Sequence, residues 1–282
     1  MSEAKKEQGT YLKDLLETGS GVAGSVAGTA IGLAVAGPPG AFAGAVGGPV
    51  VERTTLYLAS EFKRRVLGVR EEERIGGTMA FTINKIQENI DRGEQVRQDG
   101  FFRDEGNQRS AAKEVGESVL LAAQREHEEK KLPFYGNLLA NIAFDSTISR
   151  EQANLLVKEG QTLSYRQLCV VAFIAAKQLF AGERHISELR PIDGLGQEAF
   201  ELKQGSYEDA GGVSGMEQAS LLHEIFDLHF RNLASTGTDL PGSTYIDPSR
   251  LRLVLLGYNL YRLMELWEID IEDVRRMALL LR

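Results

Sequence analysis

His223 and Asp227 stand four residues apart in the segment HEIFDLH, a spacing that puts an imidazole and a carboxylate on one face of a helix. A helical zinc site needs a second histidine at that spacing, and His229 lies six residues from His223, on another face. No cysteine completes a site with these residues or with His127 and His185, so they read as surface or satisfied histidines and no metal is expected. Nucleophilic chemistry is equally poorly served. There is no Gly-x-Ser-x-Gly elbow, and the single cysteine, Cys169, sits in the apolar run LCVVAFIAA, where a thiolate is disfavoured. AVAGPPGAFAGA has the outline of a phosphate-binding loop, but Phe42 and Ala43 stand where its lysine and hydroxyl are required. A second glycine-rich patch, DAGGVSGM at 209–216, reads as a loop, and the acidic pairs Glu71 to Glu73 and Glu128 to Glu129 read as solvated charge runs. The expectation is a non-enzymatic protein without a cofactor; an enzyme stays as a third reading with no motif behind it.

The residues with the most distinctive spacing are glycines. Residues 21–51, GVAGSVAGTAIGLAVAGPPGAFAGAVGGPVV, carry no charge, and small residues recur every fourth position at Ser20, Gly24, Gly28, Gly32 and Ala36, then at Gly40, Gly44 and Gly48. Such a glycine zipper keeps its small side chains on one helix face and lets two backbones approach closely, the packing mode of helices in a bilayer. Gly24, Gly28, Gly32, Gly40, Gly44 and Gly48 are therefore the expected membrane and oligomerisation contacts. Pro39 pushes Pro38 out of the helical region and Gly37 suits the end of a helix, so the segment reads as a helical hairpin with a Pro-Pro-Gly turn.

Length and hydrophobicity both make insertion of that hairpin conditional. Its first arm, about 21–36, covers roughly 25 Å at ~1.5 Å per residue, short of the roughly 30 Å hydrocarbon core. Nine large apolar residues supply about −3 to −5 kcal/mol on an insertion scale, which nine glycines and three prolines erode. Assembly or a trigger must supply the rest. The expected partners are membrane lipid under a condition, further copies of the chain, and an unidentified protein or trigger. Just beyond the hairpin, Lys63, Arg64 and Arg65 are candidates for lipid-headgroup contact, against the simpler reading of a solvated basic face. The competing reading of the zipper is a permanently soluble packing element whose glycines admit a neighbouring helix.

Composition narrows the remaining possibilities. The chain has 282 residues, 43% hydrophobic and 26% charged, enough for two domains or one large helical one. A net charge of −8 makes general nucleic-acid binding unlikely and long-range attraction to anionic lipid weak. One cysteine permits no internal disulfide and fits a reducing cytoplasm. The first eighteen residues mix three lysines with four acids, unlike a secretory signal, so the expected location is the cytoplasm, in association with the inner membrane where the hairpin acts.

Four stretches separate along the chain: a polar leader 1–18, the zipper hairpin 19–51, a helical domain 52–160 and a C-terminal domain 161–282. Helical spacing groups Leu56, Phe62, Val66 and Leu67 on one element and Met79, Ile83, Ile86 and Ile90 on the next. Residues 92–110, RGEQVRQDGFFRDEGNQRS, have no period and read as a long loop. Ser110 to Lys131 reads as a charged helix with Val115, Val119, Leu120 and Ala123 inward, followed by a helix after Pro133. Ser149 opens a short helix ending at Gly160, and Ser164 caps the most apolar helix, Tyr165 to Phe180. Glu217 to Leu233 and Pro248 to Trp267 form two further helical patterns, and IEDVRRMALLL closes the chain. Alternation of Leu251, Leu253 and Leu255 with Arg250 and Arg252 leaves a short strand before Gly257 open, and with it a winged-helix-like arrangement. The fold class expected is all-α, a multi-helix bundle with the zipper hairpin at its N-terminal side.

Residues 131–170, KLPFYGNLLANIAFDSTISREQANLLVKEGQTLSYRQLCV, resemble the bacterial abortive-infection alpha type family in the order of an Asn-Leu-Leu-Ala-Asn helix, a spacer, a second helix and a Leu-Ser-Tyr start to an apolar helix. The resemblance spans about forty residues and excludes the zipper. It implies a bacterial protein linked to defence against phage, with no defined biochemistry. Two readings result: a membrane-associating effector acting through residues 20–51, or a soluble helical interaction or regulatory protein with a winged-helix-like C-terminal domain.

Overall fold

The computed structural model describes residues 49–282, apart from 64, 66, 184–188, 209–211 and 239–240. These residues are mostly helical, with one two-stranded sheet, so the all-α class holds. They form two compact units, one reaching Gln161 and the other running from Thr162 to Arg282. The zipper glycines Gly24, Gly28, Gly32, Gly40, Gly44 and Gly48 lie outside the described residues, as does Arg64.

In the first unit the elements are α1 (Pro49–Lys63), α2 (Val69–Asp91), α3 (Ala111–Arg125), α4 (Leu132–Ile142) and α5 (Arg150–Thr162). Helix α1 ends at Lys63 and turns Leu58 and Phe62 inward against Ile75, Met79 and Leu120; Leu56, expected on that face, is exposed. Helix α2 begins where the Gly68 N–H donates to the Glu71 carboxylate at 2.7 Å, satisfying one of the donors a helix start leaves orphaned. Its apolar residues divide between that cluster and a second one, in which Ile86 and Ala140 pack with Ile83, Ile90, Val96 and Phe102. Helices α2 and α4 approach closely at Gly136, where a Cβ would lie 2.5 Å from Phe81 Cβ and 3.0 Å from the Thr82 nitrogen. Only glycine fits there without moving backbone.

Val115, Val119, Leu120 and Ala123 of α3 are fully buried, as their helical spacing requires. The helix stops at Arg125, and a single 3-10 turn, Glu129–Lys131, leads into α4. The break is made by a buried ion pair. Lys131 Nζ lies 2.6 Å from Glu126 Oε2, and that oxygen also accepts the Tyr135 hydroxyl at 2.7 Å. The His127 and Glu128 N–H groups donate to the other carboxylate oxygen. Burial pushes the Glu126 carboxyl up, but Lys131, Tyr135 and the Glu128 N–H more than offset it and the group is held below its usual range.

The second unit is built around α6 (Tyr165–Phe180), where Ser164 caps the Gln167 nitrogen and the Gln167 side chain returns the bond to the Ser164 N–H at 2.9 Å. Buried on nearly every side, α6 packs against α7 (Met216–Phe230), α8 (Leu255–Met264) and α9 (Ile271–Leu280). The strand expected before Gly257 is β2 (Arg252–Leu253), antiparallel to β1 (Ala234–Ser235), with Ala234 opposite Leu253 and Ser235 opposite Arg252. It breaks what the periodicity presents as one helix from Pro248 to Trp267. The Leu253 N–H donates to Gln178 Oε1 at 2.7 Å, and a Cβ at Gly257 would sit 2.0 Å from the Leu233 carbonyl oxygen, so the start of α8 is pressed onto the residue that leads into β1. The order is helix, helix, strand, strand, helix, helix; a winged helix places its strand pair after three helices.

Candidate functional site

The loop between α2 and α3, residues 92–110, is tied to the helices on either side of it. Arg97 is buried: its N–H donates to the Ala143 carbonyl at 3.1 Å, its guanidinium donates to the Ile142 carbonyl and to Asp99, and it stacks on the Phe101 ring at 4.3 Å. The Phe101 carbonyl accepts the Ala112 N–H at 3.0 Å. Asp104 accepts the Ser110 N–H at 2.9 Å and Lys113 Nζ at 2.6 Å, which pins the loop to the first turn of α3. Gly100 takes a positive φ, +89°, and the residue after it, Phe101, is buried.

This loop borders two openings of opposite character. On one side lies an apolar groove of about 40 Å³, lined by Leu58, Met79, Ile83, Phe101 and Phe102, with Thr54 and Thr55 of α1 at its edge. On the other side lies a polar cavity of about 290 Å³. Arg97, Arg103, Arg109 and Arg150 are in its wall, against Asp99 and Glu105. Phe101 belongs to both walls.

Asp99 in the wall and Glu114 and Glu117 beyond it pair with the cavity's arginines. Arg150 pairs with Glu114, which also accepts Asn154 Nδ2 at 2.7 Å. Arg109 pairs with Glu117 and lies 3.3 Å from the Tyr57 hydroxyl, and Arg97 pairs with Asp99. Hydrogen bonds from Arg97 hold the Asp99 carboxyl below its usual range against the effect of burial; Arg150 does the same for Glu114. The first residues of α3 and α5, Ala111 and Arg150, are both in the wall, so two helix N-termini border one space. The arrangement can attract and orient an anion.

Of the basic residues expected from the sequence at a lipid surface, Lys63 is the last residue of α1 and Arg65 is ion-paired. Arg65 Nη2 lies 2.7 Å from Glu117 Oε1, and its guanidinium covers the Phe62 ring at 4.6 Å. Glu117 thus joins the end of α1 to Arg109. Asp227 of the pair His223 and Asp227 accepts Arg231 Nε at 2.8 Å and Gln167 Nε2 at 2.9 Å, and among the described residues no cluster of three metal-ligating side chains occurs. His229 Nδ1 lies 3.3 Å from the Ala234 carbonyl oxygen, and Cys169 is buried in α6. Reading residues 92–110 as loop overlooked Arg97, Arg103 and Arg109. The available signal was arginine at 92, 97, 103 and 109, a spacing of five or six residues in a segment otherwise without a period.

No helix among the described residues is long and apolar enough to cross a membrane. Comparison of the chain with protein-family models, with curated proteins and with solved structures finds no match.

Proposed function

We propose that the chain is a non-enzymatic bacterial effector that associates with membranes through residues 20–51, inserting conditionally and assembling through the glycine faces of its hairpin. The observation that carries this reading is the uncharged stretch of thirty-one residues with small side chains at every fourth position. The abortive-infection resemblance at residues 131–170 is compatible with it, since growth arrest by membrane damage needs an insertion element held in reserve. The apolar groove adds support, because Thr54 and Thr55, which line it, follow closely after the zipper's end at Val51. Headgroup contact through Lys63, Arg64 and Arg65 would require a lipid phosphate to compete with Glu117 for Arg65.

Fractionation of the full chain and of a deletion of 19–51, expressed in bacteria with membrane potential followed in parallel, tests the proposal. The full chain should pellet with membranes and depolarise cells while the deletion does neither, and Gly28→Leu with Gly32→Leu should abolish oligomers. Equal solubility and harmlessness of both chains, or unchanged assembly of the leucine variant, favours the second reading, a soluble helical interaction protein. That reading has its own observation in the exposed apolar side chains Met216, Phe230, Leu255 and Leu279 of the second unit.

A further inference from the structure

The geometry points to a second function for the first unit: the arginine-lined cavity between the loop 92–110 and the starts of α3 and α5 is a binding site for a phosphoryl group. This inference is independent of the membrane reading, since no residue of the zipper takes part.

Four features converge on that ligand. The cavity, about 290 Å³, is at the lower end of the size of small-molecule sites, about 300–1,000 Å³, so a compact phosphorylated molecule fits and a folded partner does not enter. Its wall gathers four arginines against Asp99 and Glu105, and Glu114 and Glu117 pair with two of those arginines, so what the cavity offers an anion is a set of guanidinium N–H donors on a charge-balanced frame. Guanidinium is the group that meets phosphoryl oxygens two at a time. Helices α3 and α5, fifteen and thirteen residues long, both begin in the wall, and helical geometry leaves the N–H of each first residue without an intrahelical acceptor.

The ion pairs already present fit this role. Glu114, Glu117 and Asp99 engage Arg150, Arg109 and Arg97 of the wall and restrict their rotamers, and a guanidinium has five N–H donors, so donors are left for a ligand. Arg103 differs from the other three in having no carboxylate partner among the described residues, and it is exposed. It is the arginine expected to close on a bound anion. A monocarboxylate would leave most of these donors unused, whereas a phosphoryl group presents three oxygens to them.

Two sources offer that chemistry, a free phosphorylated small molecule and a phospholipid headgroup, and one experiment separates them. Full-length protein is titrated calorimetrically with inorganic pyrophosphate at constant ionic strength, and in parallel is floated with phosphatidylglycerol or phosphatidylcholine vesicles. The expected result is saturable pyrophosphate binding with Kd of about 1 mM or tighter. Arg103→Gln should weaken it about tenfold and Arg103→Gln with Arg150→Gln should weaken it further. Arg92→Gln, in the same loop but outside the cavity wall, should leave it unchanged. If pyrophosphate gives no heat while flotation with phosphatidylglycerol is lost on Arg103→Gln, the phosphoryl group belongs to a lipid. Arg103 is exposed and unpaired, so its substitution leaves thermal unfolding unchanged and the variant remains interpretable. The inference is overturned if neither probe gives a response that Arg103→Gln diminishes. The zipper deletion has no bearing on these titrations, so either proposal can fail alone.

Discussion

At the scale of single residues, the most consequential group is Lys131, almost fully buried and held by Glu126. Lys131→Met leaves the Glu126 carboxylate buried with its ammonium removed. The expected loss is about 3–5 kcal/mol, much of it recovered when Glu126→Gln is added, because the cost lies in the unpaired charge and not in the lost pair. Denaturant unfolding of the two variants measures this directly. In the second unit Lys177 donates to the Ser249 carbonyl at 2.7 Å, and burial pushes its pKa down to about 8, with Arg252 adding to the shift while Glu183 and Asp247 oppose it. The sign follows from the lowered value: below about pH 8 the ammonium is charged in folded and unfolded chains alike and its burial opposes folding. As pH rises from about 8 toward 10.5 the folded state gives up its proton first, and stability rises. Lysine side-chain NMR should show one titration midpoint near 8, absent in Lys177→Met. Neither behaviour can be read from the sequence, where both lysines look like ordinary surface residues; burial is what sets them apart.

Elements are decided by a mixture of local and distant causes. Ser164 with Gln167, and Ser110 before Ala111, are caps that announce α6 and α3 in the sequence, and each helix begins where its cap stands. The end of α3 at Arg125, six residues short of the charged run's end, is decided instead by the Glu126–Lys131 pair, and the splitting of 248–267 by the pairing of β2 with β1. Such contacts join residues whose partners no periodicity reveals. Gly136 is a further case, unremarkable in LPFYGNLLANI until α2 crosses it. Gly136→Ala, a change that favours an isolated helix, should here destabilise by about 1–3 kcal/mol, because the new methyl meets Phe81 and backbone atoms of α2. A rise in melting temperature instead would show that the two helices separate easily.

For the molecule as a whole, charge is arranged in pairs: the loop 92–110 sets arginines around a cavity and carboxylates hold three of the cavity's four. The ion pairs there depress the Asp99, Asp104 and Glu114 carboxyl groups, chiefly through hydrogen bonds from Arg97, Lys113 and Arg150. Groups with lowered folded values stabilise the fold above their unfolded pKa, about 4, and lose that contribution as pH falls through the folded values. Melting temperature should therefore drop on acidification below about pH 4, and Asp99→Asn should flatten part of that drop; an unchanged profile would mean that solvent screens the pair completely. The helical class, the apolar α6, the inward face of α3 and the glycine period of residues 20–51 are all settled by the sequence itself, because helical spacing and capping are local and repeat along the chain. The bonding of Arg97 to the Ile142 and Ala143 carbonyls, the meeting of two helix starts and the burial of Lys131 and Lys177 arise only when segments far apart in sequence come together. Their energies depend on exclusion of water and on paired charge, which tertiary structure alone brings about.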